Sequence, residues 1–383
     1  MQDRELYNYT SIDIESTTRG VFNMGGLRGR LKKIKAYIRD YLPKANFFQR
    51  LLVFFDAIWT CKYYGCSIDD YFRYQFFQRR HFSRKDFIVW RQRKRIINTC
   101  NKVEDRDIFI SKPRFNKLFQ NYLGRDWLDV EACSYEDFAA FAVRNKRFFV
   151  KPVAGSFGWG VRIHEVEDNE DLQELFQNLQ EEKVLVEEVI EQWPEMAEFN
   201  PASVNTLRLV TLLCHDNEVK VMTATMRCGN GDKCADNFHH NGIASIIDIP
   251  TGIVTTTGVD MESRRYVIHP VSGKPIIGFK IPFWDKIVAT VTAAAKVVPT
   301  IRYVGWDVAL SRDGRVVVIE GNYAADPDVT QMPDQVGKWP LYKEELKKIA
   351  GLHSGKQKMR RRRDNVDENA HQIFQEGNKT IAG

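Results

Sequence analysis

Asp307, Glu320 and Asn322 are the residues of this chain best suited to hold a hard divalent cation, because all three present oxygen ligands. They flank Ser311-Arg312-Asp313-Gly314. An Asp-Gly pair between two alternating apolar runs signals a hairpin, since a two-residue type I′ loop needs positive φ at both positions. With Asp313-Gly314 as that loop, Asp307 falls directly across from Glu320, and Asn322 points to the same face as Glu320. Two carboxylates with Cβ atoms ~5 Å apart repel unless something positive lies between them. Two readings stay open on spacing alone: a cation held by three oxygen ligands, or one carboxylate left on a solvated face or in a shifted register.

A second group precedes these residues. Lys151-Pro152-Val153-Ala154-Gly155-Ser156-Phe157-Gly158-Trp159-Gly160 lies between two β-type runs, Arg147 to Lys151 and Gly160 to His164. Glycines at 155, 158 and 160 remove side chains where backbone amides could approach phosphate oxygens. No Gly-Lys-Ser/Thr follows and no helix begins there, so the loop is not of the Walker type. An ordinary hairpin turn also accounts for the glycines, and Lys151 on the incoming strand favours phosphate. Arg208, Arg227, Lys233 and Asn237 fall on alternating strands and the loop after them. Singly they read as surface residues; together they would be the anion clamps that phosphoryl transfer needs. His239 and His240 suit a loop near substrate better than a metal site, because no second set of ligands accompanies them.

The elements that must position these groups change character along the chain. Residues 1–27 are polar, and 28–104 read as helices, with Leu31, Ile34, Tyr37 and Ile38 at helical spacing. After about residue 105 strands and helices alternate. Thr206 to Leu213 and Val219 to Met226 alternate like an antiparallel pair, Ile243 to Ile249 forms another hairpin, and Trp284 to Val298 is an amphipathic helix. The mixture predicts an α+β fold rather than a doubly wound parallel sheet. Residues 351–383 are basic and polar, with the composition of an unstructured tail.

Bulk properties narrow the classes further. The chain has 383 residues, 43% hydrophobic and 28% charged, with a formal net charge of +6. No apolar run approaches the ~20 residues of a membrane span, and the N-terminus does not read as a secretory signal, so a cytoplasmic protein is expected. Seven cysteines without a Cys-x-x-Cys pair predict reduced thiols rather than a disulfide framework or structural zinc. Arg79, Arg80, Arg84, Lys85, Arg91, Arg93, Lys94 and Arg95 crowd one segment, and Lys356, Lys358 and Arg360 to Arg363 another. A solvated helical face and a frayed tail account for such runs, and so would contact with an anionic membrane surface.

Taken in order, the pieces resemble the ATP-grasp superfamily: a lysine before a helix, Val-Lys-Pro with its glycine loop, Val184-Leu185-Val186-Glu187-Glu188-Val189-Ile190, an arginine-bearing strand pair, then Asp and Glu-x-Asn. Trp193-Pro194-Glu195, Pro201 to Arg208 and Asp236 to Gly242 are particularly similar to the sugar-transfer-associated ATP-grasp group. The resemblance covers residues 105 to 350. It implies an ATP-grasp fold of two α+β subdomains clasping ATP, 105–190 as lid and small subdomain and 191–350 as catalytic subdomain. It implies that Lys112 and Lys151 hold the ATP phosphates, with Lys117 the rival to Lys112. Gly155, Ser156, Phe157, Gly158 and Gly160 would form the lid, Glu187, Glu188, Val189 and Ile190 the adenine hinge, and Glu195 a ribose contact. Asp307, Glu320 and Asn322 would bind Mg2+. Arg208, Arg227 and Asn237 would steady the transferred phosphoryl group. Ser111 before Lys112 and Ala324-Ala325-Asp326 after Asn322 depart from the family pattern.

The implied activity is an ATP-dependent carboxylate–amine ligase acting through an acyl phosphate on small molecules, with sugar or glycan intermediates of surface-polysaccharide assembly as candidate substrates and no specific nucleic acid as partner. A phosphotransferase on the same fold and a non-catalytic anion-binding module are the alternatives.

Overall fold

The structure, a computed structural model, describes residues 26–153, 160–231 and 242–352. The chain divides into two compact units, one reaching Lys85 with Val89–Arg91, the other comprising Asp86–Ile88 and everything from Gln92 onward.

The first unit is helical. Helices Leu27–Tyr41, Phe47–Tyr64 and Ile68–Arg73 supply most of it. Two of them start where the sequence provides reciprocal caps: Asn46 with Gln49, and Ser67 with Asp70, each side chain bonding the other's backbone N–H. Tyr71, Phe72, Tyr74 and Phe76 fill the interior. Arg84 is buried there, with Nη1 and Nη2 each 2.8 Å from an oxygen of Asp56.

The second unit is built on two antiparallel sheets, an α+β arrangement as expected. The smaller contains β1 (Trp127–Asp129), β2 (Arg147–Pro152), β3 (Arg162–Glu165) and β4 (Val184–Glu188), in the order β1-β4-β2-β3. Helices Tyr135–Arg144 and Leu172–Glu181 cover it through Phe138, Phe141, Phe176 and Leu179, which pack on Phe148, Val150 and Val186. The larger contains β5 (Thr206–Leu213), β6 (Val219–Cys228), β7 (Ile243–Ile246), β8 (Gly258–Val259), β9 (Arg265–Tyr266), β10 (Tyr303–Leu310) and β11 (Val316–Asn322), in the order β11-β10-β5-β6-β7-β8-β9. Leu207, Leu209, Met226, Trp306, Val308 and Val318 form a core with helix Trp284–Ala294 and with Phe115 and Phe119. The six described cysteines are free thiols.

The β10–β11 hairpin fixes the faces. Asp307 pairs with Glu320, as the spacing predicts, but two offsets produce that result. Leu310 pairs with Val316, and Ser311 donates its N–H to the Arg315 carbonyl at 3.0 Å. The loop is therefore Arg312-Asp313-Gly314, with Gly314 at φ 78°, one residue longer than an Asp-Gly turn. A β-bulge then leaves Ile319 without a partner between the pairs Val308–Val318 and Asp307–Glu320. The extra residue switches the alternation: Val316 and Val318 face the core, whereas Glu320 and Asn322 face away from it with Asp307.

Candidate active site

On the face away from that core, a row of charge crosses four strands. Arg208 on β5 pairs with Asp307 on β10, which pairs with Glu320 on β11. Arg227 on β6 lies one diagonal step off, opposite Thr206. Arg208 Nη2 lies 2.8 Å from Asp307 Oδ2 while its Nε donates to Oδ1, and Arg227 Nη1 lies 3.0 and 3.1 Å from the two oxygens. All three residues are buried. Burial alone would push the Asp307 carboxyl up; the two guanidiniums overturn that and hold it well below the ordinary carboxylate range.

Glu320 is placed differently. It keeps contact with solvent while protein atoms crowd its other sides. That crowding, with the charge of Asp307 next, raises its affinity for a proton. No basic side chain pairs with it among the described residues. Asn322 shares its face, and its Oδ1 accepts the Ala324 N–H at 3.0 Å. Gly305, opposite Asn322, leaves room for the arginine: a Cβ there would sit 2.7 Å from the Ala325 Cβ and 3.2 Å from the Arg208 Cδ. These donors fit a hard dication. Glu320 makes no ion pair among the described residues, and Asn322 Oδ1 retains a second lone pair. Asp307 already spends both oxygens on arginines, so it would ligate through remaining lone pairs.

The small sheet contributes a second charge cluster. Glu187 on β4 is buried and accepts from Arg125 Nε at 3.0 Å, Lys151 Nζ at 2.6 Å and Asn116 Nδ2 at 3.2 Å. Its carboxyl, pushed up by burial, is brought far down by Arg125 and Lys151. Arg125 also donates to the Val318 carbonyl at 2.7 Å and the Ile319 carbonyl at 3.1 Å. It therefore ties β4 to the bulge that aims Glu320. Lys112 occupies the first position of helix Lys112–Leu118 rather than preceding it, and its Nζ donates to the Pro152 carbonyl at 2.6 Å. Burial, then repulsion from Lys151, lowers its proton affinity, while Glu320 and Glu187 oppose the shift. Lys112 thus feels both clusters. Lys117, further along the helix, is exposed.

The expected hinge is a bridge between the sheets. Glu188 accepts the Asp126 N–H at 2.9 Å, and Trp193 donates its N–H to the Leu310 carbonyl at 2.8 Å. Val189 and Ile190 are half-buried between these anchors. Glu187 has its side chain fully engaged, which leaves backbone groups for a ligand. Glu195, on the turn Pro194–Ala197, accepts from the Trp193 indole at 3.1 Å. Gly160 follows a glycine loop whose members Gly155, Ser156, Phe157 and Gly158 lie outside the described residues, as do Lys233, Asn237, His239 and His240.

Sequence reasoning missed Arg125 and Asn205. Asn205 is fully buried; its Nδ2 donates to Gln192, Met196 and Asn200 oxygens at 2.9 to 3.1 Å, and its Oδ1 accepts from the Gly229 N–H at 3.2 Å. It fastens the start of β5 to the end of β6, which sets Arg208 beside Arg227. Its signal was present in the Pro201 to Arg208 stretch. Arg125 carries none, being an isolated arginine after a glycine.

The family model described as sugar-transfer associated ATP-grasp matches residues 131–348, more than half of the chain. The chain belongs to this family. Both sheets and the hinge between them lie largely within the matched residues, and the fold is ATP-grasp. No curated protein matches the sequence. Among solved structures, the ATP-grasp ligase PsnB complexed with minimal precursor is 17% identical, with 65% of this chain and 64% of that one covered and a TM-score of 0.40. The VanG D-Ala:D-Ser ligase of Enterococcus faecalis is 16% identical, with 64% and 62% covered and a TM-score of 0.37. The N5-carboxyaminoimidazole synthetase of Staphylococcus aureus, complexed with ADP, is 9% identical, with 60% and 48% covered and a TM-score of 0.37. The chain thus spans less than two thirds of the length of each. No helix among the described residues is long and apolar enough to cross a membrane.

Proposed function

We propose that this ATP-grasp protein is an ATP- and Mg2+-dependent ligase that activates a carboxylate as its acyl phosphate and joins it to an amine or related nucleophile. The observation that carries the reading is the cross-strand row Glu320, Asp307, Arg208, Arg227, with Lys112 sensing both that row and the Lys151–Glu187 cluster. Anionic oxygens beside fixed guanidiniums and lysines are the arrangement phosphoryl transfer uses, where positioning and charge neutralisation do most of the catalysis.

In this reading Lys112 and Lys151 take the nucleotide phosphates, with Lys112 favoured over the exposed Lys117. Residues Glu187 to Ile190 hold the adenine through backbone groups. Residues 105–190 serve as the lid side and 191–350 as the catalytic side. Glu320 and Asn322, with the remaining lone pairs of Asp307, hold Mg2+, which when bound supplies charge neutralisation between phosphate oxygens. Arg227 and Arg208, fixed by Asp307, steady the oxygens of the transferred phosphoryl group while the substrate carboxylate attacks it. ADP leaves, and the amine then displaces phosphate from the acyl carbon. The family's association with sugar transfer supports an acidic sugar or glycan intermediate as one substrate and surface-polysaccharide assembly in the cytoplasm as the setting.

ADP release measured across a panel of uronic acids, amino acids and amines tests this. A ligase releases ADP and yields a condensed product only with both substrates present; Lys151→Met and Arg227→Met abolish it and Lys117→Met does not. A stable phosphorylated product formed without an amine assigns a phosphotransferase instead, and no ADP with any pair defeats the reading.

A further inference from the structure

The helical unit exposes more apolar surface than its own folding explains. Helix Phe47–Tyr64 buries only Ala57, Thr60 and Tyr64. The opposite side carries Phe48, Leu52, Phe55, Trp59 and Tyr63, at spacings of three or four residues that form one stripe. Phe48 is 73% exposed, Leu52 72%, Phe55 60% and Trp59 46%. Isolated exposed apolar residues are ordinary, but a contiguous stripe this long marks a surface that is covered in use.

Charge identifies the cover. Between residues 26 and 78 ten Lys and Arg stand against four Asp and no Glu. Asp56 turns inward to Arg84 and Tyr71, Asp69 is held by Lys33 and Tyr37, Asp70 caps Ser67, and Asp40 is paired with Arg39. The cations face water: Arg28, Arg30, Lys32, Lys35 and Arg39 are exposed along helix Leu27–Tyr41, and Lys62 lies within the apolar stripe. An aromatic and aliphatic face on a unit with this excess of exposed lysine and arginine fits the boundary of an anionic bilayer, where apolar side chains sink to the acyl level and cations meet lipid phosphates. Trp59 stacks on Tyr63 at 4.8 Å, and such amphipathic rings favour the headgroup level.

We propose that helix Phe47–Tyr64 docks the protein on an anionic membrane surface, lying in the plane of the interface. The contact is thus assigned to this face rather than to the basic segments at 79–95 and 356–363. It is independent of the ligase reading.

Co-sedimentation of the full chain with vesicles tests it, using phosphatidylcholine alone and phosphatidylcholine containing about a third phosphatidylserine. The expected result is binding to the anionic vesicles, weakened by salt, and lost at least about tenfold in a Leu52→Glu/Phe55→Glu variant. Both positions are exposed, and unchanged circular dichroism verifies that the variant folds. Trp59 emission should shift to the blue on vesicle addition, and Trp59→Phe should remove the shift. Equal sedimentation of wild type and double variant, or no sedimentation of either, overturns the proposal. So does a wild-type dimer in light scattering that the double variant converts to monomer, since a second copy would then be the cover.

Discussion

The two charge clusters of the ATP-grasp unit use the same chemistry to opposite ends. Around Glu187 the charges close on themselves: one carboxylate, one guanidinium, one ammonium and one amide, with the acid held far below its ordinary range. Along β11-β10-β5-β6 they do not close, because Asp307 takes both arginines and Glu320 is left over with its proton affinity raised. The first cluster is balanced within the protein, whereas the second leaves a carboxylate that no ion pair among the described residues takes up. The difference teaches that a carboxylate can be neutralised inside the protein or left open beside such a neutralised one, and on the proposed reading the open one is where a cation would enter.

Removing the central acid of each cluster should separate them most. Asp307→Ala removes the carboxylate that both buried guanidiniums grip and should cost about 3–5 kcal/mol. Glu187→Ala should cost less, about 3 kcal/mol, because Lys151 can turn toward water. Equal losses in urea unfolding would erase the comparison. Both acids are depressed below ordinary values of 3.8 and 4.5, so each stabilises the fold above those values, and that stability is lost as pH falls through the folded ones. Asp307→Ala should therefore flatten the acid limb of the stability curve.

A smaller effect tests how tightly Arg208 is set. Gly305→Ala places a methyl against Ala325 and the arginine stem, and should cost about 1–3 kcal/mol. If arginine position matters for phosphoryl transfer, ADP release should fall further than this loss of stability explains; a loss of stability alone would make Gly305 a packing residue only.

The smallest change should have the opposite sign. Glu320→Gln removes an ionised group that the fold disfavours, so Tm at neutral pH should rise by about 1–2 °C, an effect limited by solvent screening. Because the Glu320 carboxyl is raised, its favourable contribution is full below the ordinary 4.5 and is lost as pH rises through its folded value. The advantage of the variant should accordingly vanish below about pH 4.5. ADP release should be lost in the same variant; a protein that is both more stable and fully active would remove Glu320 from the site.

The elements were readable because hairpins and capped helices are local. The Asp307–Glu320 pair was readable by fortune of cancellation: a loop one residue longer than Asp-Gly turns offsets the bulge at Ile319, and neither is marked by a distinctive residue type. The identity of the positive charge beside Asp307 was not readable. The spacing suggested a cation between carboxylates and arginines around phosphate, whereas Arg208 and Asp307, 99 residues apart, meet only because β5 and β10 are neighbours in the sheet. Arg125 was invisible for the same reason, since its partners come from two distant segments.

Arg125 has one more implication. It divides its donors between an acid on one sheet and two carbonyls on the other. On the proposed reading, a nucleotide that draws Lys151 toward phosphate would leave Glu187 to Arg125 and Asn116, and the load on the Arg125 grip at the Ile319 bend would change with it. Occupancy at the small sheet would on that reading be relayed to the aim of Glu320 through a single side chain.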